Sequence, residues 1–439
     1  MRPLKRGKKL GCETSAVSRE APLWWKIWLA VVGLAALVGL RSLRATDLQA
    51  GSQPPFTEPR PCLSGNGKVL AVEARRPSGW QQDIQVHWLD EARSHVFQTG
   101  FAATLVDDSS RHPSLDREGR WLAFSSQATN WVEGDDNSVS DIFVVDLKEM
   151  RLERLLPPMA EAGLSSSYDA CWSADGQQLA FSSYGVPDAR SERGRGLVLA
   201  RRQQQGWSVR PFPGRWQHWG RGPVLGRASF SPDGRRIAYS AFLGGLTPER
   251  TRPRFEVYAS PLGGDWPPMV HPARKNDYWE RLLLSHGPGG RPGRGNSYQP
   301  FCSQAGVVFA SLAPDFSPGD RNGRHHLFFR PWNQPAPQPL TAGANGSSFE
   351  PCGSGDGDRV VFTSYARNLV PGEPDDNPSS DIYLLERSQG RYVRLSKGLQ
   401  GPCYHPTCSE DGSRVAFVHG EQLVLWERGR GLRVVVARL

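Results

Sequence analysis

The sequence predicts an all-β fold: a β-propeller of about seven four-stranded blades (six or eight also fit), preceded by one N-terminal transmembrane helix. Three observations carry this. A short hairpin pattern recurs along the chain, a second β-rich run follows each copy, and one long apolar run stands near the N-terminus. The balance of 38% hydrophobic and 22% charged residues is that of a globular chain, so a disordered protein is excluded.

The apolar run comes first. Leu23 to Leu40 reads LWWKIWLAVVGLAALVGL, eighteen residues interrupted only by Lys26, close to the ~20 needed to cross the hydrocarbon of a bilayer. Trp24, Trp25 and Trp28 cluster at one end as interfacial aromatics do, and Lys26 can snorkel. Seven basic and two acidic residues precede Leu29, which predicts a cytoplasmic N-terminus and an exported body. The following residues, RSLRATDLQA, offer no clean A-x-A cleavage site. A retained anchor is therefore expected over its rival, a cleaved signal peptide leaving a soluble periplasmic or secreted body. The expected organisation is a basic cytoplasmic tail at 1–22, a signal-anchor at 23–40, a linker at 41–59 and the propeller at 60–439, in the periplasm of a bacterial cell. Of the net charge of +9, residues 1–50 carry +6 and the rest only +3, so a nucleic-acid-binding face is not expected.

The repeats follow. Aligned on their turn, they are PCLSGNGKVLAV from Pro61, PSLDREGRWLAF from Pro113, ACWSADGQQLAF from Ala170, ASFSPDGRRIAY from Ala228, PFCSQAGVVFAS from Pro300, PCGSGDGDRVVF from Pro351 and PTCSEDGSRVAF from Pro406. Each reads as strand, tight turn, strand. The glycine shared by all copies (Gly67, Gly119, Gly176, Gly234, Gly306, Gly357, Gly412) is expected to supply positive φ. Runs such as DIFVVDLKEMRLERLL from Asp141 and DIYLLERSQGRYVRLS from Asp381 read as second hairpins. One such unit cannot bury its own faces, whereas a closed ring of them can.

The pattern, clearest in ASFSPDGRRIAY, resembles the WD40-like repeat of TolB-type propellers over residues 60–439. The resemblance implies a non-enzymatic scaffold whose ring face binds an envelope protein or a glycan. Lyases and hydrolases on related repeats imply the alternative: an enzyme with polar residues converging on the central channel, aided by a divalent metal. The sequence has no G-x-S-x-G, H-E-x-x-H or G-x-x-x-x-G-K-[ST], which favours the scaffold.

Smaller features remain. Residues 265–298 form an insertion between the fourth and fifth hairpins, with a short helix expected in NDYWERLLLSH. Trp216, Trp219 and Trp279, in or beside the irregular stretches, are candidate stacking residues for sugar or peptide, against the plainer role of filling gaps between blades. A D-D-N-x-x-x-D echo joins Asp135, Asp136, Asn137 and Asp141 to Asp375, Asp376, Asn377 and Asp381. Closely spaced carboxylates suit Ca²⁺, but Asx residues also fix turns by bonding their own backbone. The structural role is preferred, and Ca²⁺ is the one cofactor these loops would suit. His325 and His326 face opposite ways on a strand and cannot share one metal. Five cysteines sit in two adjacent repeat columns. Cys62, Cys171 and Cys352 share one with Ser114, Ser229, Phe301 and Thr407, as expected for a packed site for small residues. Buried thiols are preferred to disulfides, of which Cys403–Cys408 is the nearest pair.

Overall fold

The protein is described from a computed structural model. It covers residues 59–439 apart from Ser78, 157–165, 187–193, 213–223, 226–227, 244–253, 263–282, 288–292 and 318–321. The expected membrane helix and most of the linker lie outside these residues. No helix among the described residues is long and apolar enough to cross a membrane.

Seven four-stranded antiparallel sheets follow one another along the chain: blade 1 (62–97), blade 2 (110–155), blade 3 (167–212), blade 4 (224–261), blade 5 (297–339), blade 6 (348–394) and blade 7 (403–436). In six of them the strands lie in sequence order from the channel outward. The count of seven agrees with the repeats.

Alternating side chains on each inner sheet pack against opposite neighbours. In Arg359–Ser364 of blade 6, Val360 and Phe362 face blade 5, whereas Val361 faces blade 7. Seven apolar clusters, one per blade interface, hold the ring together. The one between blades 7 and 1 joins Leu63, Leu70 and Val72 to Ala416, Leu423 and Leu425. The ring closes without strand exchange, by this packing and by hydrogen bonds between the two blades. The last strand, Gly431–Val436, stays in blade 7 as its outer strand, and no strand is exchanged between first and last blades among the described residues.

The turn chemistry follows the repeat. In blade 6 the Ser354 hydroxyl donates to Asp356 Oδ1 at 2.5 Å and accepts the Arg359 N–H at 2.9 Å. Ser173, Ser231 and Ser409 do the same in their blades. Six of the seven turn glycines have the expected positive φ. Gly306 does not. Its turn is two residues shorter, so Gly306 begins the second strand, and its N–H meets Ser303 Oγ where the Arg359 N–H meets Ser354 Oγ. Glycine is required there for space, since a Cβ would lie 2.3 Å from the Arg330 carbonyl oxygen.

Blade 4 departs further. Its innermost strand is split into Val224–Leu225 and Ser229–Phe230, both paired with Arg236–Leu243. The outer strand position is marked by a single bridge from Tyr258 to Leu283. Leu283 begins the described end of the expected short helix, and that end is not helical.

The small-residue column has a role beyond packing. Thr407 Oγ1 accepts the Leu63 N–H of the next blade at 3.0 Å, Cys62 Sγ the Leu115 N–H at 3.3 Å, and Ser229 Oγ the Cys302 N–H at 3.0 Å. Small polar side chains here stitch adjacent innermost strands. Cys403 and Cys408 are not joined to each other, and burial pushes both thiols up to about 12.

Candidate functional site

The first-to-second-strand turns lie on one face of the ring, here the turn face. The second-to-third-strand loops and the blade connections lie on the other, the loop face. Towards the loop face, the innermost strands carry a collar of polar side chains. His112, Asp169, Gln299, Glu350 and His405 occupy one position in blades 2, 3, 5, 6 and 7, each with φ between 54° and 56°. Each sits at a slip in strand register. In blade 2, His112 and Pro113 fall between Arg111, opposite Ser125, and Ser114, opposite Ala123. Such bulges re-aim a side chain. Arg60 fills the equivalent position in blade 1. In blade 4 it falls on Arg227, outside the described residues.

Neighbouring collar residues meet. Glu350 Oε1 lies 2.6 Å from His405 Nδ1, and its other oxygen accepts the His405 N–H at 3.0 Å and the Thr363 hydroxyl at 3.2 Å. The Glu350 N–H donates to Gln299 Oε1 at 3.0 Å. Burial pushes the Glu350 carboxyl up, but the charge and hydrogen bonds of His405 outweigh it and hold it below its usual range. His405 Nε2 is buried without a hydrogen-bond partner. Across the ring, Arg60, His112 and Asp169 line a water-sized cavity of about 10 Å³. His112 Nδ1 is 3.7 Å from Asp169 Oδ1 and 3.5 Å from Ser125 Oγ. Behind them the buried Glu73 accepts the His112 N–H at 2.7 Å, and burial raises its carboxyl to about 7. Aromatic rings flank the collar. His325 lies between Tyr298 and Phe349, at ring distances of 5.4 and 4.6 Å, and burial takes it down to about 4, so it is neutral.

The turn-face mouth is different. A cavity of about 170 Å³ there is lined by turn residues including Gly65, Arg117, Ser173, Pro232, Gly355 and Glu410. Backbone bonds link these turns from blade to blade: Gln304 N–H to Gly355 O (2.8 Å), Gly355 N–H to Glu410 O (2.7 Å), Glu410 N–H to Gly65 O (2.7 Å) and Asn66 N–H to Arg117 O (2.8 Å). Among the described residues no such bond joins the turns of blades 2, 3, 4 and 5 in succession. Pro232 of blade 4 has no N–H to give.

The residues singled out in the sequence lie elsewhere. The two Asp loops are each closed by an arginine of the same blade. The Arg154 guanidinium lies 2.9 Å from Asp135 Oδ1 and 2.6 Å from Asp141 Oδ2, and Asn137 Nδ2 donates to Asp141 at 3.1 Å. In blade 6, Arg394 pairs with Asp375 and lies 3.9 Å from Asp381. Asn377 bonds Asp381 at 3.2 Å, and the Tyr383 hydroxyl donates to Asp375 at 2.8 Å. Burial raises Asp135 and Asp141, with Arg154 opposing it. Asp136 and Asp376 are exposed. His326, at the matching point of blade 5, takes Asn322 Oδ1 at 3.2 Å and Thr341 O at 2.7 Å instead of a carboxylate network. Trp216, Trp219 and Trp279 lie outside the described residues. Among the described residues no group of three or more His, Cys, Asp or Glu side chains could hold a metal. The collar escaped sequence reading because its column stands one residue before the repeat as aligned there, and it varies in charge from blade to blade.

No protein-family model matches the chain, and no curated protein shows a significant match to it. Solved structures do. The β-propeller domain of the trilobed protease from Pyrococcus furiosus, described as having an open velcro topology, is 10% identical with a TM-score of 0.54, covering 86% of this chain and 97% of that one. A puromycin hydrolase is 14% identical with a TM-score of 0.55, covering 89% and 56%. A putative TolB from Agrobacterium tumefaciens is 16% identical, covering 71% and 87%, at a TM-score of 0.41 too low to carry an argument. The chain spans about half the length of several matched peptidases, from 51% to 57%. At these identities the likeness is one of fold alone.

Proposed function

We propose that the chain is a membrane-anchored binding propeller. Residues 23–40 hold it in the bacterial inner membrane, and the exported ring takes an envelope protein or a glycan at the loop-side mouth of its channel. The collar carries this reading. A left-handed backbone costs a non-glycine residue about 1–2 kcal/mol, and a bulge alone is served by Gly or Asn. Here five blades place His, Asp, Gln, Glu and His at that position. Such a mixture of imidazole, carboxylate and amide suits the backbone and side chains of a peptide or the hydroxyls of a sugar.

The second reading is an enzyme, either a hydrolase or a lyase. Its support is the His405–Glu350 pair, in which the carboxylate holds Nδ1 and Nε2 is buried without a hydrogen-bond partner. Against it, His112 offers the same nitrogen to both Ser125 and Asp169, so these three do not form a relay. The binding reading therefore stands first.

The test is crosslinking in intact cells with the tagged full chain, beside a variant carrying His112→Asn and His405→Asn, since Asn tolerates the left-handed backbone. The expected result is a protein or glycan captured at stoichiometric yield by the native chain and lost from the variant. Equal capture by both moves the site away from the collar. A cleaved saccharide or peptide in place of a bound one makes the enzyme reading the better one.

A further inference from the structure

We propose that the loop face of blade 1 rests on a lipid bilayer through Trp80, Phe101 and Leu105. Of the eight large apolar side chains exposed among the described residues, these three are the most exposed, at 68%, 49% and 57%, apart from Val434 at 50%. Trp80 belongs to the loop between the second and third strands of blade 1. Phe101 and Leu105 belong to the connection from blade 1 to blade 2. The two segments are tied together at the base of these side chains: Arg76 Nη1 donates to Val106 O at 3.0 Å and Gln81 Nε2 to Asp107 O at 3.1 Å.

The patch is held in shape. Arg76 is buried against Asp83 at 2.5 Å while its N–H bonds Gln81 O at 2.8 Å. The Phe101 N–H bonds Asn130 O at 2.7 Å, and Asn130 Nδ2 bonds Leu105 O at 2.8 Å. Polar groups fix the backbone and leave the apolar side chains outward. Tryptophan with smaller apolar residues is the composition that partitions into a membrane interface.

The place where the chain enters supplies the occupant. The described residues begin at Pro59, upstream of Cys62–Leu63, which puts the entry on the loop face of the same blade. Residues 41–58 reach at most about 60 Å when fully extended, so an anchor at 23–40 keeps this face within reach of the bilayer. The inference thus rests on the proposed anchor.

The test is the full chain reconstituted in vesicles of phosphatidylethanolamine and phosphatidylglycerol containing a phospholipid with a photoactivatable acyl chain, with labelled peptides mapped by mass spectrometry. Labelling of 23–40 together with Trp80 and 101–105 is expected. In a Trp80→Ser, Phe101→Ser, Leu105→Ser variant, labelling of 79–107 should fall about tenfold while 23–40 stays labelled, a factor equivalent to about 1.4 kcal/mol. Labelling of 23–40 without the patch overturns the docking and leaves the anchor. Labelling of neither overturns both. Labelling of the patch alone upholds the docking and removes the anchor.

Discussion

Arg117 of blade 2 and Glu410 of blade 7 form an ion pair that passes over blade 1. Gly65 of blade 1 lies beneath it. A Cβ on Gly65 would stand 3.0 Å from both Cα and Cγ of Arg117, and its carbonyl already accepts the Glu410 N–H. Three blades are thus locked across the junction where the chain's first and last sheets meet.

A double-mutant cycle with Arg117→Ala and Glu410→Ala should return a coupling of about 0.5–1 kcal/mol, as befits a half-exposed pair, and less in 1 M salt. Zero coupling at low salt means that packing and the other hydrogen bonds of the junction close the ring without the ion pair. Gly65→Ala should destabilise by about 1–3 kcal/mol through overpacking against backbone.

Among the described residues the turn-face bonds run through blades 5, 6, 7, 1 and 2 and stop there. Native-state hydrogen exchange should find the amides of Gly355 and Glu410 more protected than that of Ala174 in blade 3. The ring then loosens first across blades 3 and 4, away from the chain-end junction. Faster exchange at Glu410 than at Ala174 would place the weak seam at the ends.

Glu73 sets a pH dependence. Its folded carboxyl is raised by burial from 4.5 to about 7. The folded state holds the proton more tightly than the unfolded state, so its contribution is full below pH 4.5 and is lost as pH rises through 7. Glu73→Gln keeps an acceptor for the His112 N–H and should flatten the stability profile across that window, gaining on the order of 3 kcal/mol at pH 8. Urea titrations at pH 5 and pH 8 measure it. An unchanged difference between the two pH values would show that Glu73 does not titrate there.

The arginines in the Asp loops give the last prediction. Arg154→Ala leaves Asp135 and Asp141 buried without their cation and should cost about 3–5 kcal/mol. In the native chain the guanidinium already pairs with both carboxylates, so melting temperatures in Ca²⁺ and in EDTA should coincide. A rise in Ca²⁺ would favour the metal reading of these loops.

How much of this was legible in sequence follows from how local each feature is. The S-x-D-G turn is closed by Ser354, Asp356 and Arg359 bonding one another within six residues, so the repeat announces the hairpin and its count announces the ring. Gly306 was misread because a two-residue deletion keeps a glycine in the aligned column while moving it from turn to strand. The Asp loops were visible as a motif, but Arg154 and Arg394, which share their carboxylates, come from the neighbouring outer strand and match no spacing rule.

The sequence by itself determined the hairpins, the seven-fold repetition and the apolar N-terminal run, because each rests on periodicity and turn chemistry within a few residues. The tertiary structure decided which residues meet at the channel. Glu350 and His405 are 55 residues apart and touch only because adjacent innermost strands lie side by side. Arg117 and Glu410 are 293 apart and pair only because the ring closes. A collar assembled one residue per blade has no local signature, since each member's partner is supplied by the next blade.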